Sequence, residues 1–339
     1  MKKLLLVLLP ICAIALCLLI VNKIESGKNA TTEIQMPTHE HIDTDLNDIC
    51  DNCSITFSQG LLYELSSDET FYILIDIGSC TDKEIIIPLV HNGLPITEIG
   101  QRALDHQKHI KSIVLLSNIA VIGNEAFDSC TSLMQVIIGN NVKTIGNNAF
   151  SGCQSLMQVT FPNSVKTIGS EAFRGCRSLK QISIPDNVTY IGSSAFRQCL
   201  LLEQVTIGNG VTSIREHVFF DCTSLKEITI GNGVTSIQDY AFKNCVSLTQ
   251  MIIPDNVKTI EHYIFQGCTS LKKITIGTGV TTIEPFAFEE CDLEEAVFAN
   301  PNGWTVAYYT NLSAANLSTP AVAAHYLTDT HVSREWNRK

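Results

Sequence analysis

The chain has 339 residues, 45% of them hydrophobic and 17% charged, with 13 cysteines and a formal net charge of −11. Apolar material on that scale excludes a disordered chain and a collagen-like fibre, and the acidic balance excludes a polybasic nucleic-acid binder, so no nucleic-acid partner is expected. The acidity is uneven: residues 25–98 hold 14 acidic side chains against Lys28 and Lys83, while residues 99–339 are close to neutral.

Residues 1–24 are a signal peptide or an N-terminal membrane anchor. Lys2 and Lys3 precede an apolar run from Leu4 to Val21, the charged start and hydrophobic core that a translocation machinery reads. Export is the expectation, with the main body outside the cytoplasm. Eighteen apolar residues are long for a signal peptide and just long enough to cross a bilayer, so cleavage and retention both stand. Ile11 and Leu16 precede Cys12 and Cys17 where a lipid-attachment site needs a small residue.

Residues 25–54 read as an acidic linker holding one metal-like constellation, His39-Glu-His41 followed by Cys50-Asp-Asn-Cys53. Two imidazoles and two thiolates match a tetrahedral structural zinc. An unliganded linker and a Cys50–Cys53 disulfide are the alternatives. Interleaved with it, Asp43, Asp45, Asn47 and Asp51 imitate a calcium loop, but Asp48 stands where the glycine belongs and Ser54 where the closing acid belongs. Four protein ligands would leave no open position for a substrate, so zinc here would not be catalytic. Residues 55–98 follow as an N-terminal cap and lead-in, with strands expected at Leu61–Leu65, Phe71–Ile75 and Ile85–Pro88.

From residue 99 to 298 the chain is periodic. Cysteines fall at 130, 153, 176, 199, 222, 245, 268 and 291, always 23 apart. Nine units open at Ile99, Ile122, Ile145, Ile168, Ile191, Ile214, Ile237, Ile260 and Ile283. In each, a segment such as Leu225-Lys-Glu-Ile228-Thr-Ile230 alternates apolar and polar residues and reads as a short strand. A turn follows, in which Pro185, Gly208, Gly231 and Pro254 exchange at one stacked position. That exchange requires φ near −65° there and predicts a type I or II turn. A second extended piece, such as Val234–Ile237, leads into Ala241-Phe242-Lys-Asn-Cys245, whose spacing fits one helical turn.

One such unit cannot bury its apolar side alone, but stacked units can. The expected fold is therefore a β-rich repeat solenoid of nine 23-residue coils with short strands and short helical turns, closed by caps at both ends. The first coil is degraded, with Leu104 for phenylalanine, Gln107 for cysteine and His109 for serine. The last is one residue short, which makes Leu293, Ala296 and Phe298 its strand positions. Residues 299–339, with Trp304, Tyr308, Tyr309, Tyr326 and Trp336, are the expected C-terminal cap.

The unit Ile-Gly-x-x-Ala-Phe-x-x-Cys-x-Ser-Leu-x-x-Val-x-Ile-Pro-x-x-Val resembles the BspA-like class of bacterial leucine-rich repeats, over about Gly60 to the C-terminus. Ile85-Ile86-Ile87-Pro88 resembles the lead-in of such proteins, and Asn300-Pro-Asn-Gly-Trp304 resembles their ends. The resemblance implies a leucine-rich-repeat horseshoe or ribbon used for adhesion or protein binding at the cell surface. It carries no shared catalytic residues.

Eight regularly spaced cysteines in an exported chain invite a disulfide reading. Each, however, occupies the same core slot with no alternating partner, which favours a ladder of buried thiols. No His-Glu-x-x-His, Gly-x-Ser-x-Gly or phosphate-cradling glycine loop occurs. The binding candidates are instead two outward columns along the strands. One runs Gln135, Gln158, Gln181, Gln204, Glu227, Gln250, Lys273; the other runs Ile137, Thr160, Ser183, Thr206, Thr229, Ile252, Thr275. Stacked amides and hydroxyls with little net charge suit a polar extracellular peptide or glycan. The functional expectation is a non-catalytic adhesion or interaction module, tied to the membrane through its N-terminal segment. An envelope scaffold that self-associates is the alternative, and an enzyme with a cryptic site is the third.

Overall fold

Successive coils lie in parallel register, each residue beside its equivalent 23 positions away, so that Thr167 pairs with Thr144 and with Tyr190, and Gln204 pairs with Gln181 and with Glu227. The structure, a computed structural model, describes residues 56–116, 118–306, 314–330 and 332–338. Residues 58–339 form one unit. The hydrophobic N-terminal run and the His39–Cys53 motif lie outside the described residues.

Each coil places one strand on one side of the solenoid and a two-residue strand on the other. The first set includes Gln181–Ile184, Gln204–Ile207 and Glu227–Ile230; the second includes Thr144–Ile145, Thr167–Ile168 and Tyr190–Ile191. Between them the turn closes by Val188 N–H donating to the Pro185 carbonyl at 3.1 Å and Val234 N–H to the Gly231 carbonyl at 3.2 Å. None of Gly208, Gly231, Asp186 or Asn187 has positive φ, which selects type I over type II.

The phenylalanine segment departs from the expected helical turn. It is a run of consecutive turns in which every second N–H leaves the coil: Glu125 donates to Asn147, Phe127 to Ala149 and Ser129 to Ser151, at 2.7–2.8 Å. Residues 125 and 129 have φ of 57°, and their equivalents, such as His217, Asp221, Tyr240 and Asn244, repeat it. The left-handed residues rotate alternate amides toward the neighbouring coil, so a helical i→i+4 ladder does not form. Lateral bonding to the next coil wins over local helix because it satisfies groups that would otherwise be buried unpaired.

The residues expected inside are inside. Ala126, Phe127, Cys130 and Leu133 are 0% exposed, and the same four slots are closed in the coils that follow, up to Leu271. The phenylalanines stack face to face from Phe127 to Phe288, with centroids 5.0–5.7 Å apart and planes within 12°. Burying each such ring stabilises by roughly 1.5–3 kcal/mol, and ring pairing adds about 0.5–1.5 kcal/mol.

The lead-in does more than cover the first unit. Tyr72–Asp76 pairs in parallel with Leu94–Ile99, and Glu84–Ile86 pairs with Ser112–Val114, so residues 72–98 make a further coil ahead of the nine. Leu62–Leu65 then joins Tyr72–Asp76 antiparallel at that end. Asn118 clasps the lead-in by donating to the Leu89 and Ile96 carbonyls, both at 2.5 Å. At the other end Lys273 pairs with Glu295 and Ile276 with Phe298, the one-residue deletion absorbed as expected. Trp336–Arg338 runs antiparallel to both Thr282–Ile283 and Trp304–Val306, and Trp304 and Trp336 are each 1% exposed.

The sheets are interrupted at defined places. A column of glycines, Gly100, Gly123, Gly146, Gly169 and Gly192, lies so close to the preceding coil that a Cβ on Gly192 would sit 2.3 Å from the Ser170 nitrogen. Arg215 ends that column, and the two-residue strands are not laddered between Tyr190–Ile191 and Ser213–Ile214. On the other side the ladder breaks between Gln158–Val159 and Gln181–Ile184 and again between Glu227–Ile230 and Gln250–Ile253.

Phe196 is 0% exposed, with Phe173 and Phe219 at 5.4 and 5.7 Å. Phe196→Ala is expected to destabilise the solenoid by about 3–5 kcal/mol. A urea titration followed by circular dichroism should show a lower midpoint.

Candidate binding face of the strands

The strand face carries the two expected columns. Gln158, Gln181, Gln204, Glu227, Gln250 and Lys273 are exposed and Gln135 is half-buried; Thr160, Ser183, Thr206 and Thr229 are exposed and Thr275 is half-buried. Ile252 stands 67% exposed in the same column. Ile137, expected outward, is instead buried at 8%; it pairs with Val114, itself 7% exposed, and the two apolar side chains shield each other.

A groove of about 430 Å³ opens where the ladder breaks after Gln158–Val159. Gln158, Gln181 and Gln204 line it with Thr160, Ser183 and Thr206; Val159, Ile182 and Phe161 form the floor, and Asn163 and Pro185 the turn-side wall. Phe161 holds the slot that is isoleucine in the adjacent coils, at Ile138 and Ile184, and turns its ring edge-on to Phe173 at 5.5 Å. The substitution coincides with the shortening of that strand to two residues. No lining residue is titratable.

The polar groups of the groove are largely uncommitted. Gln204 donates to Glu227 at 3.3 Å, whereas the side chains of Gln158, Gln181, Thr160, Ser183 and Thr206 have no partner among the described residues. Just before the opposite strands, Thr189, Thr235 and Thr281 each donate to the carbonyl of the residue 23 positions earlier, and on them Ser236 donates to Ser213. Flanking the groove, Lys226 and Glu203 pair at 2.9 Å and neutralise one another.

The repeat cysteines are free thiols, fully buried except Cys291. Each donates its Sγ–H to the phenylalanine carbonyl of the previous coil, as Cys153 to Phe127 at 3.2 Å and Cys245 to Phe219 at 3.3 Å, with Leu104 accepting from Cys130. That carbonyl already receives an N–H from its own coil, for example Cys130 N–H to Phe127 at 3.3 Å. The thiol thus satisfies a second lone pair that alanine would leave bare. Burial pushes the Cys130 and Cys199 thiols up to about 12, and those of Cys153, Cys176, Cys222, Cys245 and Cys291 well above the ordinary 9.0. They are unreactive packing groups at neutral pH.

A second surface feature was not anticipated from the sequence. In four consecutive coils the left-handed slot holds His217, Tyr240, Tyr263 and Phe286, stacked 5.0–5.2 Å apart. Beside them, burial and then the Asp239 carboxylate raise the Glu261 carboxyl, and burial, opposed by His262 and reinforced by Glu335, raises that of Glu284. The signal was present as rings every 23 residues, masked because the same slot reads Arg102, Glu125, Asn148, Glu171 and Ser194 elsewhere. Among the described residues no group of His, Cys, Asp or Glu could hold a metal, and no helix is long and apolar enough to cross a membrane.

A register of this kind, with leucine, cysteine and phenylalanine ladders on a parallel stack, defines a leucine-rich-repeat solenoid. The BspA type leucine rich repeat region matches residues 97–219 and 191–310 in six copies, and the chain belongs to that family. Among solved structures it is similar to a leucine-rich repeat protein of T. pallidum, at 30% identity over 57% of this chain and 90% of that one, with a TM-score of 0.54. It shares the fold of a leucine-rich repeat protein from Bacteroides ovatus, at 24% identity over 71% and 70% of the two chains, with a TM-score of 0.52. No curated protein matches the chain.

The thiols carry a pH prediction. Their folded pKa values lie above the unfolded one, so their contribution is complete below about pH 9 and is lost as pH rises from 9.0 toward 12. Alkaline titration followed by circular dichroism should unfold the chain in that window. Iodoacetamide mapping at pH 7.5 should leave Cys130 to Cys268 unmodified until denaturant is added.

Proposed function

We propose that this chain is an exported, non-catalytic cell-surface protein whose strand face binds an extracellular macromolecule. The observation that carries the reading is the groove at the strand break, where three amides and three hydroxyls of adjacent coils converge over an apolar floor. Membership of a repeat family supports an interaction role. A lining without a titratable group supplies no general acid or base to activate its hydroxyls, which argues for binding over turnover. In this reading the apolar run before residue 24 directs export or anchors the chain. His39, His41, Cys50 and Cys53 hold a structural zinc that stiffens the tether.

The test is a screen of the purified chain against extracellular-matrix proteins, glycans and intact bacterial cells. Saturable binding should fall about tenfold in Gln158→Ala with Gln181→Ala, with thermal unfolding unchanged because both side chains are exposed. Binding that survives the double substitution would move the site off this face. Self-association in place of binding would favour a scaffold.

A further inference from the structure

We infer that the groove between Gln158–Val159 and Gln181–Ile184 is a subsite for a neutral oligosaccharide laid across three coils. This rests on the reading of the strand face as the binding surface and specifies its ligand.

Charge selects first. The lining is Gln, Thr, Ser, Asn, Pro and aliphatic or aromatic carbon, with no ionised group, and on the flank the carboxylates of Glu203 and Glu227 are balanced by Lys226 and Lys180. A sulfated or uronic-acid chain would lose hydration there without gaining a counter-charge. An uncharged ligand loses nothing by the absence.

Hydrogen-bonding capacity selects next. Each amide offers both donor and acceptor, as does each hydroxyl, and a sugar hydroxyl has the same dual character. Five of these side chains have no partner within the protein, whereas Thr189, Thr235 and Thr281 across the coil are bound to backbone carbonyls. Unpartnered hydroxyls also occur on the opposite strands, at Thr144, Thr167 and Thr259; what this face adds is three amides and three hydroxyls gathered around one groove. Gln181 and Gln204 lie on paired strands about 4.8 Å apart, and Gln158 stands one coil away across the break, with hydroxyls about 7 Å away along each strand. That advance is close to one hexopyranose unit of an extended chain.

Shape disfavours a peptide. Peptide recognition concentrates energy in deep pockets that take aromatic or aliphatic anchors. Here Val159, Ile182 and Phe161 are only 5%, 3% and 6% exposed, a thin floor suited to the carbon face of a sugar ring and too shallow for an anchor. With no aromatic face open for stacking, single-site affinity is expected to be weak, in the high-micromolar range or above.

Isothermal titration of the full chain with cellohexaose, xylohexaose and maltohexaose, beside a heparin hexasaccharide and a library of extended octapeptides, tests the assignment. At least one neutral hexasaccharide should bind. Gln158→Ala with Gln181→Ala, and separately Thr160→Val with Ser183→Ala, should weaken it about fivefold or more, as expected for lost hydrogen bonds. Thr189→Val with Thr281→Val, just before the opposite strands, should leave it unchanged. Binding of the heparin fragment alone, or neutral binding indifferent to the groove variants, overturns the inference. Octapeptide binding that is lost in Gln158→Ala with Gln181→Ala, without any hexasaccharide binding, overturns the ligand class and leaves the strand-face reading standing. If neither probe class binds, the oligosaccharide assignment falls, and the strand-face reading is decided by the screen against matrix proteins and intact cells.

Discussion

Lateral registration governs everything else in this molecule: a residue must lie beside its own equivalent in the next coil, because the backbone bonds run between coils. Glu125 to Asn147 and Phe127 to Ala149 are such bonds, and the two strands per coil add more. A coil taken alone would bury unpaired amides and carbonyls. The stack removes that penalty at every interior level, and only the two ends require separate solutions. At one end Leu62–Leu65 folds back on the lead-in coil, and at the other Trp336–Arg338 closes the short strands.

Registration also explains why the core is so repetitive. When equivalents stack, a ring meets a ring and a thiol meets the carbonyl beside it. Substitution in a slot is then judged by its neighbours above and below, more than by its own coil. Phe161 and Arg215 show the outcome where the rule is relaxed. The ladder parts beside each of them, and the first of these partings opens the groove. The groove is thus a local failure of repetition within a repetitive scaffold.

The architecture was legible because it is written nine times. Cysteine spacing, the Leu-x-x-Val-x-Ile strand and the exchange of proline with glycine each located an element that the structure contains. The phenylalanine segment was misjudged because Ala and Cys four apart satisfy a helical period, while the left-handed conformations at residues 125 and 129 fall on Glu and Ser, which do not announce them. The extra coil at residues 72–98 was read as strands but not as a coil, since its length differs from 23 and no cysteine marks it in the repeat phase. The Gln and Thr columns were visible in the sequence. That the amides converge in a concavity at residues 158–206 was not, because a single Phe-for-Ile exchange at residue 161 does not by itself announce a break between strands.

The thiol bonds all point one way, from each coil to the one before it. Cys291 reaches back to Phe265, and the first of the series ends on Leu104. A coil inserted anywhere in the middle would receive one such bond and give one. The thiol ladder therefore accommodates whole-unit duplication or loss without redesign of its own contacts. An insertion of any other size within a coil would misplace a thiol, a ring and two strands together. Distance along the stack, and with it how far a surface site stands from the Leu62–Leu65 cap, is in this way an inheritable quantity adjusted in steps of one coil.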